Sequence, residues 1–177
     1  DRAIMSNKKE DTFTIYMSPQ GKPLVQPKVV ELSKKPHLLI LCGHYEGIDN
    51  RVADLIDEEI SIGDYVLTGG ELPALVLIDA IVRLIPGVLG DEKSAEEESF
   101  NSNLLEYPHY TRPKIYNEKS VPEVLTSGHH ENIRLWRKKQ SLLNTLLKRP
   151  DLLINRDYDE EEKKLLMEIL FDRENGN

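Results

Sequence analysis

The sequence has a single cysteine, Cys42, which excludes an internal disulfide. Its place in the apolar run LLILCG reads as a buried, structural thiol and not as a nucleophile. No apolar run is long enough to span a bilayer and no basic-then-apolar leader opens the chain, so a soluble, cytoplasmic protein with no membrane association is expected. The five histidines have no cysteine cluster beside them, and the adjacent pair His129 and His130 has a spacing that rarely puts both rings on one metal; no metal centre is expected. A net positive charge is also missing. The formal charge of −8 argues against wholesale nucleic-acid binding. Neither G-x-G-x-x-G nor the P-loop pattern occurs, which leaves a dinucleotide or a triphosphate poorly supported.

What is present is globular. With 39% apolar and 31% charged residues, 177 residues suffice for one ordinary domain or two small ones. The opening DRAIMSNKKED reads as a helix end running directly into a strand, and a preceding N-terminal segment is expected. Strands are predicted at 12–17 (TFTIYM), 37–42 (HLLILC) and 59–63 (EISIG). Val29, Val30 and Leu32 mark a short helix between the first two, which makes a βαβ unit of a parallel sheet. GIDNRVADLID reads as a short helix or a loop. Residues 71–85, ELPALVLIDAIVRLI, form a helix with Pro73 in its first turn and apolar residues nearly all round. Such a helix needs cover on more than one side, and a second subunit is the expected cover, the preceding N-terminal segment being the alternative.

Charge is unevenly placed along the rest of the chain. Asp91 to Glu98 carries five acids and one lysine, whereas Arg134 to Arg149 carries six cations and no acid, a face able to touch phosphates. DEKSAEEESFNSN reads as a mobile linker. Beyond YPHYTRP, the residues Ile133, Trp136, Gln140, Leu143 and Leu147 recur at helical spacing, and Pro150 ends that helix. DYDE at 157–160 offers a capping box to a last helix bearing Leu165, Leu166, Ile169 and Leu170. The division read from this pattern is an α/β domain at 1–90, a flexible acidic linker at 91–107 and a small all-α domain at 108–177.

Glycine-bearing turns follow all three strands: SPQG at 18–21, CGHYEG at 42–47 and IGDYVLTGG at 62–70. In an open parallel sheet the ligand sits beyond the carboxyl ends of the strands, where such turns converge. One pocket is therefore expected, with backbone groups reaching a flat ligand and Tyr45 and Tyr65 supplying apolar walls. The adjacent pair Gly69 and Gly70 implies a close approach by something that leaves no room for a side chain. Asp79 and Arg83 stand four apart on the long helix, a spacing that suits an intrahelical ion pair and equally an arginine presented to a developing oxyanion.

The strings YMSPQG, LCGHYEGIDNRV, DEEISIGDYVLTGGELPALVLIDAIVRLIPGVLG, SAEEESF, PHYTRP and NIRLWRKKQSL, in this order, closely resemble the bacterial tRNA (guanine-N1)-methyltransferase family. The resemblance implies a trefoil-knotted α/β methyltransferase domain, a homodimer, S-adenosylmethionine as methyl donor with Mg²⁺ as an optional auxiliary, and tRNA as substrate. It further implies methylation at N1 of the guanosine just 3′ of the anticodon and a C-terminal tRNA-binding domain. Carried over by position, Tyr16, Met17, Ser18, Pro19 and Gly21 line one side of the cofactor pocket. Gly43, Tyr45 and Glu46 line the second, and Ile62, Gly63, Tyr65, Leu67, Gly69, Gly70 and Pro73 the third. Arg83 assists at the guanine. Glu98, with Glu97 beside it, stands where the family has its catalytic aspartate, and His44 stands where an arginine is common. A non-catalytic RNA-binding protein that keeps the fold is the competing expectation.

Overall fold

Residues 1–44, 47–88, 99–100, 102–154 and 156–174 are described by a computed structural model in which the chain separates into two units, Asp1–Ala95 and Glu96–Asn177. The first unit is organised around β1 (Thr12–Pro23), the middle strand of a three-stranded sheet. A short helix α1 (Arg2–Asn7) precedes it. On one side β1 pairs in parallel with β2 (His37–Cys42), in register from Thr12 opposite His37 to Met17 opposite Cys42. On the other it pairs in parallel with β3 (Glu58–Ser61), Ile15 opposite Glu58 and Met17 opposite Ile60.

Side chains alternate across a strand, so Ile15 and Met17 share a face. That face holds the core, where both are buried with Val29 and Leu32 of α2 (Gln26–Ser33), Ile60 of β3, and Ala74, Leu77 and Ile81 of α3 (Glu71–Val82). Full burial of one such aliphatic side chain stabilises by about 1.5–3 kcal/mol, which is what holds two short helices on a three-stranded sheet. Lys28 bonds Glu31 at 2.7 Å and Glu58 at 3.0 Å, tying α2 to the start of β3.

Several boundaries differ from the expected ones, for identifiable reasons. β1 runs to residue 23 and not to 17, because the chain bulges out after Met17 and then returns, setting Lys22 and Pro23 beside Ile60 and Ser61. β3 stops at Ser61 because Gly63 has φ 149°, outside any strand conformation. The segment expected as a short helix or loop contains a 3₁₀ helix, Asn50–Leu55, opened by the Asp49 carboxylate accepting from the Arg51 N–H. Helix α3 ends at Val82, three residues before the expected limit, as Pro86 and the positive-φ Gly87 turn the chain away. Cys42 is exposed and not buried, since it is the last residue of β2 and lies at the rim of the sheet. Its thiol is pushed up in pKa by partial burial and by the Glu71 carboxylate, which disfavours the nucleophilic thiolate.

The second unit centres on α4 (His130–Lys148) and α5 (Glu160–Glu174). Leu104, Leu142, Leu165 and Ile169 form its core. The buried stripe of α4 is Ser141, Leu142 and Thr145, and the expected stripe through Leu143 and Leu147 is displaced, Leu147 being exposed. Two small hydroxyl residues there let the chain lie close. The Thr145 Oγ1 donates to the Ser141 carbonyl at 2.7 Å and accepts from the Leu105 N–H at 2.8 Å, while the Asn144 side-chain amide donates to the Glu106 carbonyl at 2.9 Å. Residues 104–106, inside the stretch read as linker, are thus docked on α4.

An all-α second unit needs correcting. A two-stranded hairpin, β4 (Ile115–Tyr116) with β5 (Lys119–Ser120), lies within it, closed by Asn117 and Glu118 at φ 47° and 63°. Two consecutive positive φ values are the requirement of the hairpin turn that follows strand twist, and asparagine tolerates the first of them. The capping box of the last helix is real but sits two residues later than expected. The Glu162 N–H donates to the Asp159 carboxylate at 2.7 Å, and the Asp159 N–H returns to the Glu162 carboxylate at 3.3 Å.

Candidate functional site

The carboxyl ends of the three strands converge on one cleft of about 200 Å³. Tyr16, Met17, Ser18 and Pro19 enter it from β1, Gly43 from the end of β2, and Ile62, Gly63, Tyr65, Leu67, Gly69 and Gly70 from the turn after β3, with Pro73 from the first turn of α3. Local bonds fix each turn. The Gln20 N–H donates to the Ser18 hydroxyl at 3.2 Å, and the Ser61 hydroxyl donates to the Gly63 carbonyl at 3.0 Å and accepts from the Gly63 N–H at 3.2 Å. The second and third turns are joined directly: the Gly70 N–H donates to the Gly43 carbonyl at 2.9 Å, and His44 and Gly69 form an antiparallel bridge.

These contacts change what the glycines mean. A Cβ on Gly70 would lie 2.7 Å from Cys42 Cα and 3.0 Å from the Gly43 nitrogen, so the body that forbids a side chain there is the end of β2 itself. A Cβ on Gly21 would lie 2.5 Å from both the Glu59 carbonyl carbon and the Ile60 nitrogen. Gly21 is therefore packed on the backbone of β3 and is not among the residues lining the cleft. At Gly43 the obstacle is the Tyr16 hydroxyl at 2.8 Å, a side-chain wall of the cleft. At Gly69 a Cβ would likewise meet no backbone, its nearest neighbour being the movable Glu71 carboxylate.

The remaining expected residues fall elsewhere. Tyr45 and Glu46 lie outside the described residues, as do Glu96, Glu97 and Glu98. Arg83 is the exposed C-cap of α3, its N–H donating to the Asp79 carbonyl at 3.3 Å, and it does not line the cleft. Gln20, Gly47, Ile60, Ser61, Val66 and Thr68 line the cleft without having been singled out. Gly47, with φ 115°, was legible as the last residue of CGHYEG; the others carry no signal in residue type. Among the described residues no group of three or more His, Cys, Asp or Glu side chains could hold a metal ion. No described helix is long and apolar enough to cross a membrane.

In the second unit, the cation-rich helix face turns out to be matched by acids, Glu131 at the start of α4 itself and Asp159 and Glu161 at the start of α5. Arg134 makes two hydrogen bonds to Glu161, at 2.8 and 2.5 Å, and two to Glu131, at 3.0 and 2.7 Å. Lys138 bonds Asp159 at 2.9 Å and Glu161 at 3.2 Å. The absence of compensating acids along the run itself is therefore no measure of its net field: the first turn of α5 supplies them. Burial pulls the Lys138 pKa down, but these bonds outweigh it and hold the pKa above its ordinary value. The Arg134 guanidinium, and after it Lys138, lowers Glu161 to about 2.

A depressed carboxylate pKa stabilises the folded unit above the unfolded value of 4.5 and loses that contribution as pH falls through about 2. Acid titration of the melting temperature should fall across that window, more steeply in low salt because the pair is exposed and screened. Glu161→Gln should flatten the fall. Parallel curves for the variant and the wild type would remove Glu161 from the account.

An open parallel α/β unit with a ligand cleft at the carboxyl ends of its strands, joined in sequence to a mainly helical unit, is the class this structure defines. The family model for the tRNA (Guanine-1)-methyltransferase TrmD matches residues 1–155, and the chain belongs to that family. Three curated relatives bear the name tRNA (guanine-N(1)-)-methyltransferase. One from Syntrophomonas wolfei is 72% identical over 98% of this chain and 71% of its own length. One from Carboxydothermus hydrogenoformans is 63% identical over 93% of this chain and 65% of its own length. One from Thermosipho africanus is 59% identical over 89% of this chain and 63% of its own length. The chain thus spans about two thirds of the relatives it matches.

Proposed function

We propose that this protein transfers a methyl group to N1 of the guanosine immediately 3′ of the anticodon in tRNA. The observation that carries the reading is the convergence of three glycine-bearing turns on one cleft, in a chain of this family. The cleft fits a methyl donor with a flat, hydrogen-bonding head. Its walls bring backbone without side chains to the ligand at Gly43, Gly63, Gly69 and Gly70 and apolar surface at Tyr16, Ile62, Leu67 and Pro73. S-adenosylmethionine supplies an activated sulfonium methyl group when bound.

The protein's own residues provide the rest. Guanine N1 carries a proton at neutral pH and is a poor nucleophile, so a carboxylate, Glu98, takes that proton as the N1–C bond forms. Arg83 stabilises the negative charge that shifts toward O6. The protein works as a homodimer in the cytoplasm, with the trefoil knot that the family resemblance implies. The dimer is supported by α3, where Leu72, Leu75, Val76 and Ile78 stay exposed on a helix whose other side is core.

The test is methyl transfer from labelled S-adenosylmethionine to tRNA transcripts with G or A at the target position, with the product nucleoside identified and the oligomeric state measured by sedimentation. Transfer to the G transcript alone, giving 1-methylguanosine, is expected from a dimer. RNA binding without transfer would favour the non-catalytic reading, for which Glu98 in place of aspartate is the motive.

A further inference from the structure

The second unit has a cleft of its own, about 590 Å³, lined by Leu104, Leu105, Tyr107, Ile133, Arg137 and Glu162 among others. Its volume lies within the range of small-ligand sites. One wall is pre-set: the Leu105 N–H is held by Thr145 at 2.8 Å and the Glu106 carbonyl by Asn144 at 2.9 Å, which fixes the backbone leading into Tyr107. The Arg137 guanidinium carbon lies 4.8 Å over the Tyr107 ring centroid, a planar cation on an aromatic face. The same unit holds two tilted ring pairs, Tyr107 and His109 with centroids 4.9 Å apart and Tyr110 and Trp136 with centroids 6.3 Å apart.

This chemistry is selective. Phosphate recognition needs cations and no rings; of the three Arg and Lys residues lining this cleft, Arg134 and Lys138 are already matched by Glu131, Glu161 and Asp159, and Arg137 lies against the Tyr107 ring. A nucleobase needs a flat aromatic or guanidinium surface, apolar edges and a polar partner, which Tyr107, Arg137, Ile133 and the Ser141 hydroxyl supply together. We infer that this cleft receives one unpaired nucleobase of the RNA, stacked on the Tyr107–Arg137 pair. It is a second contact, in a different unit from the methyl-donor cleft, and it rests on the reading of tRNA as substrate.

The experiment uses full-length protein and anticodon stem–loop RNAs in which each unpaired loop nucleotide in turn is replaced by 2-aminopurine. Binding of the wild type should quench 2-aminopurine at a loop position other than the methylated one. Tyr107→Leu keeps apolar bulk but loses the aromatic face; it should weaken the Kd about tenfold or more and abolish that quench. Tyr107→Phe should stay within about twofold of the wild type. S-adenosylmethionine affinity and melting temperature, measured on all three proteins, should be the same, which separates lost stacking from lost folding. A Tyr107→Leu Kd within twofold of the wild type, or equal binding of a fully paired duplex, overturns the cleft. Methyl transfer is followed in the same samples. A wild type that binds with the Tyr107-dependent quench but transfers no methyl group overturns the proposed reaction and leaves the cleft standing.

Discussion

Gly70→Ala is expected to weaken S-adenosylmethionine binding by an order of magnitude or more and to lower the melting temperature of the first unit. The backbone at Gly70, φ −82° and ψ −4°, is one that any residue adopts, so conformational strain is not the reason for glycine. The reason is steric. The new methyl carbon would sit 2.7 Å from Cys42 Cα and 3.2 Å from its carbonyl carbon, atoms of the paired strand β2 that cannot turn aside as a side-chain end can. Relief requires the third turn to move off the second, and this breaks the Gly70–Gly43 hydrogen bond of 2.9 Å that holds two walls of the cleft together. Overpacking of this kind typically costs about 1–3 kcal/mol.

Gly69→Ala is the informative companion. Its methyl group would be crowded by the Glu71 carboxylate, which can rotate, and would touch the His44 ring at an ordinary 3.6 Å, so the fold should be retained. If the methyl donor lies against Gly69, this variant loses affinity without losing stability. Calorimetric titration with S-adenosylmethionine and thermal melts on both proteins decide the matter. A Gly70→Ala protein with unchanged affinity and melting temperature would refute the packing argument.

The same two glycines mark the limit of what the sequence discloses. Their presence after the third strand was enough to infer a close approach, and the convergence of three such turns was enough to infer a single cleft. Residue type does not say what approaches. The answer lies in a contact between residues 42–43 and residue 70, and tertiary proximity across that distance leaves no local pattern. The strands and α2 were legible because Ile15, Met17, Val29, Leu32 and Ile60 alternate or recur with the period of their element. The buried stripe of α4 was not. Its innermost residues include Ser141 and Thr145, polar by type; the Thr145 hydroxyl satisfies the docked segment at Leu105 and is itself satisfied by the Ser141 carbonyl.

Charge gave the same lesson. A run of cations from Arg134 to Arg149 reads as a phosphate surface only if the acids of the chain stay with their own segment. Glu161 and Asp159 cross to α4 because their helix begins beside it, and the first turn of a helix favours acids in any case. Long-range ion pairing of this sort is invisible to a count along the chain. It shifts weight from a simple electrostatic grip on RNA to the aromatic and guanidinium surfaces around Tyr107 and Trp136.

Glu98→Gln is expected to lower kcat by about 10²–10⁴ while leaving S-adenosylmethionine and tRNA affinities nearly unchanged. The amide keeps the size and hydrogen-bonding reach of the side chain but cannot accept a proton from guanine N1, so the loss falls on the chemical step alone. Glu98→Asp should retain most of the rate, since the shorter acid still carries the base. Glu97→Gln is the control for register within the three consecutive acids at 96–98: if Glu97 were the base, the two phenotypes would exchange. Arg83→Ala should produce a smaller fall in kcat, and Arg83→Lys should recover only part of it, because an ammonium cannot reproduce the planar fork of donors. Single-turnover methyl transfer, run on pre-bound ternary complexes, separates these effects from product release. A Glu98→Gln rate equal to wild type, with Glu97→Gln also unimpaired, would mean that guanine N1 loses its proton to another group, and the carboxylate mechanism would have to be abandoned.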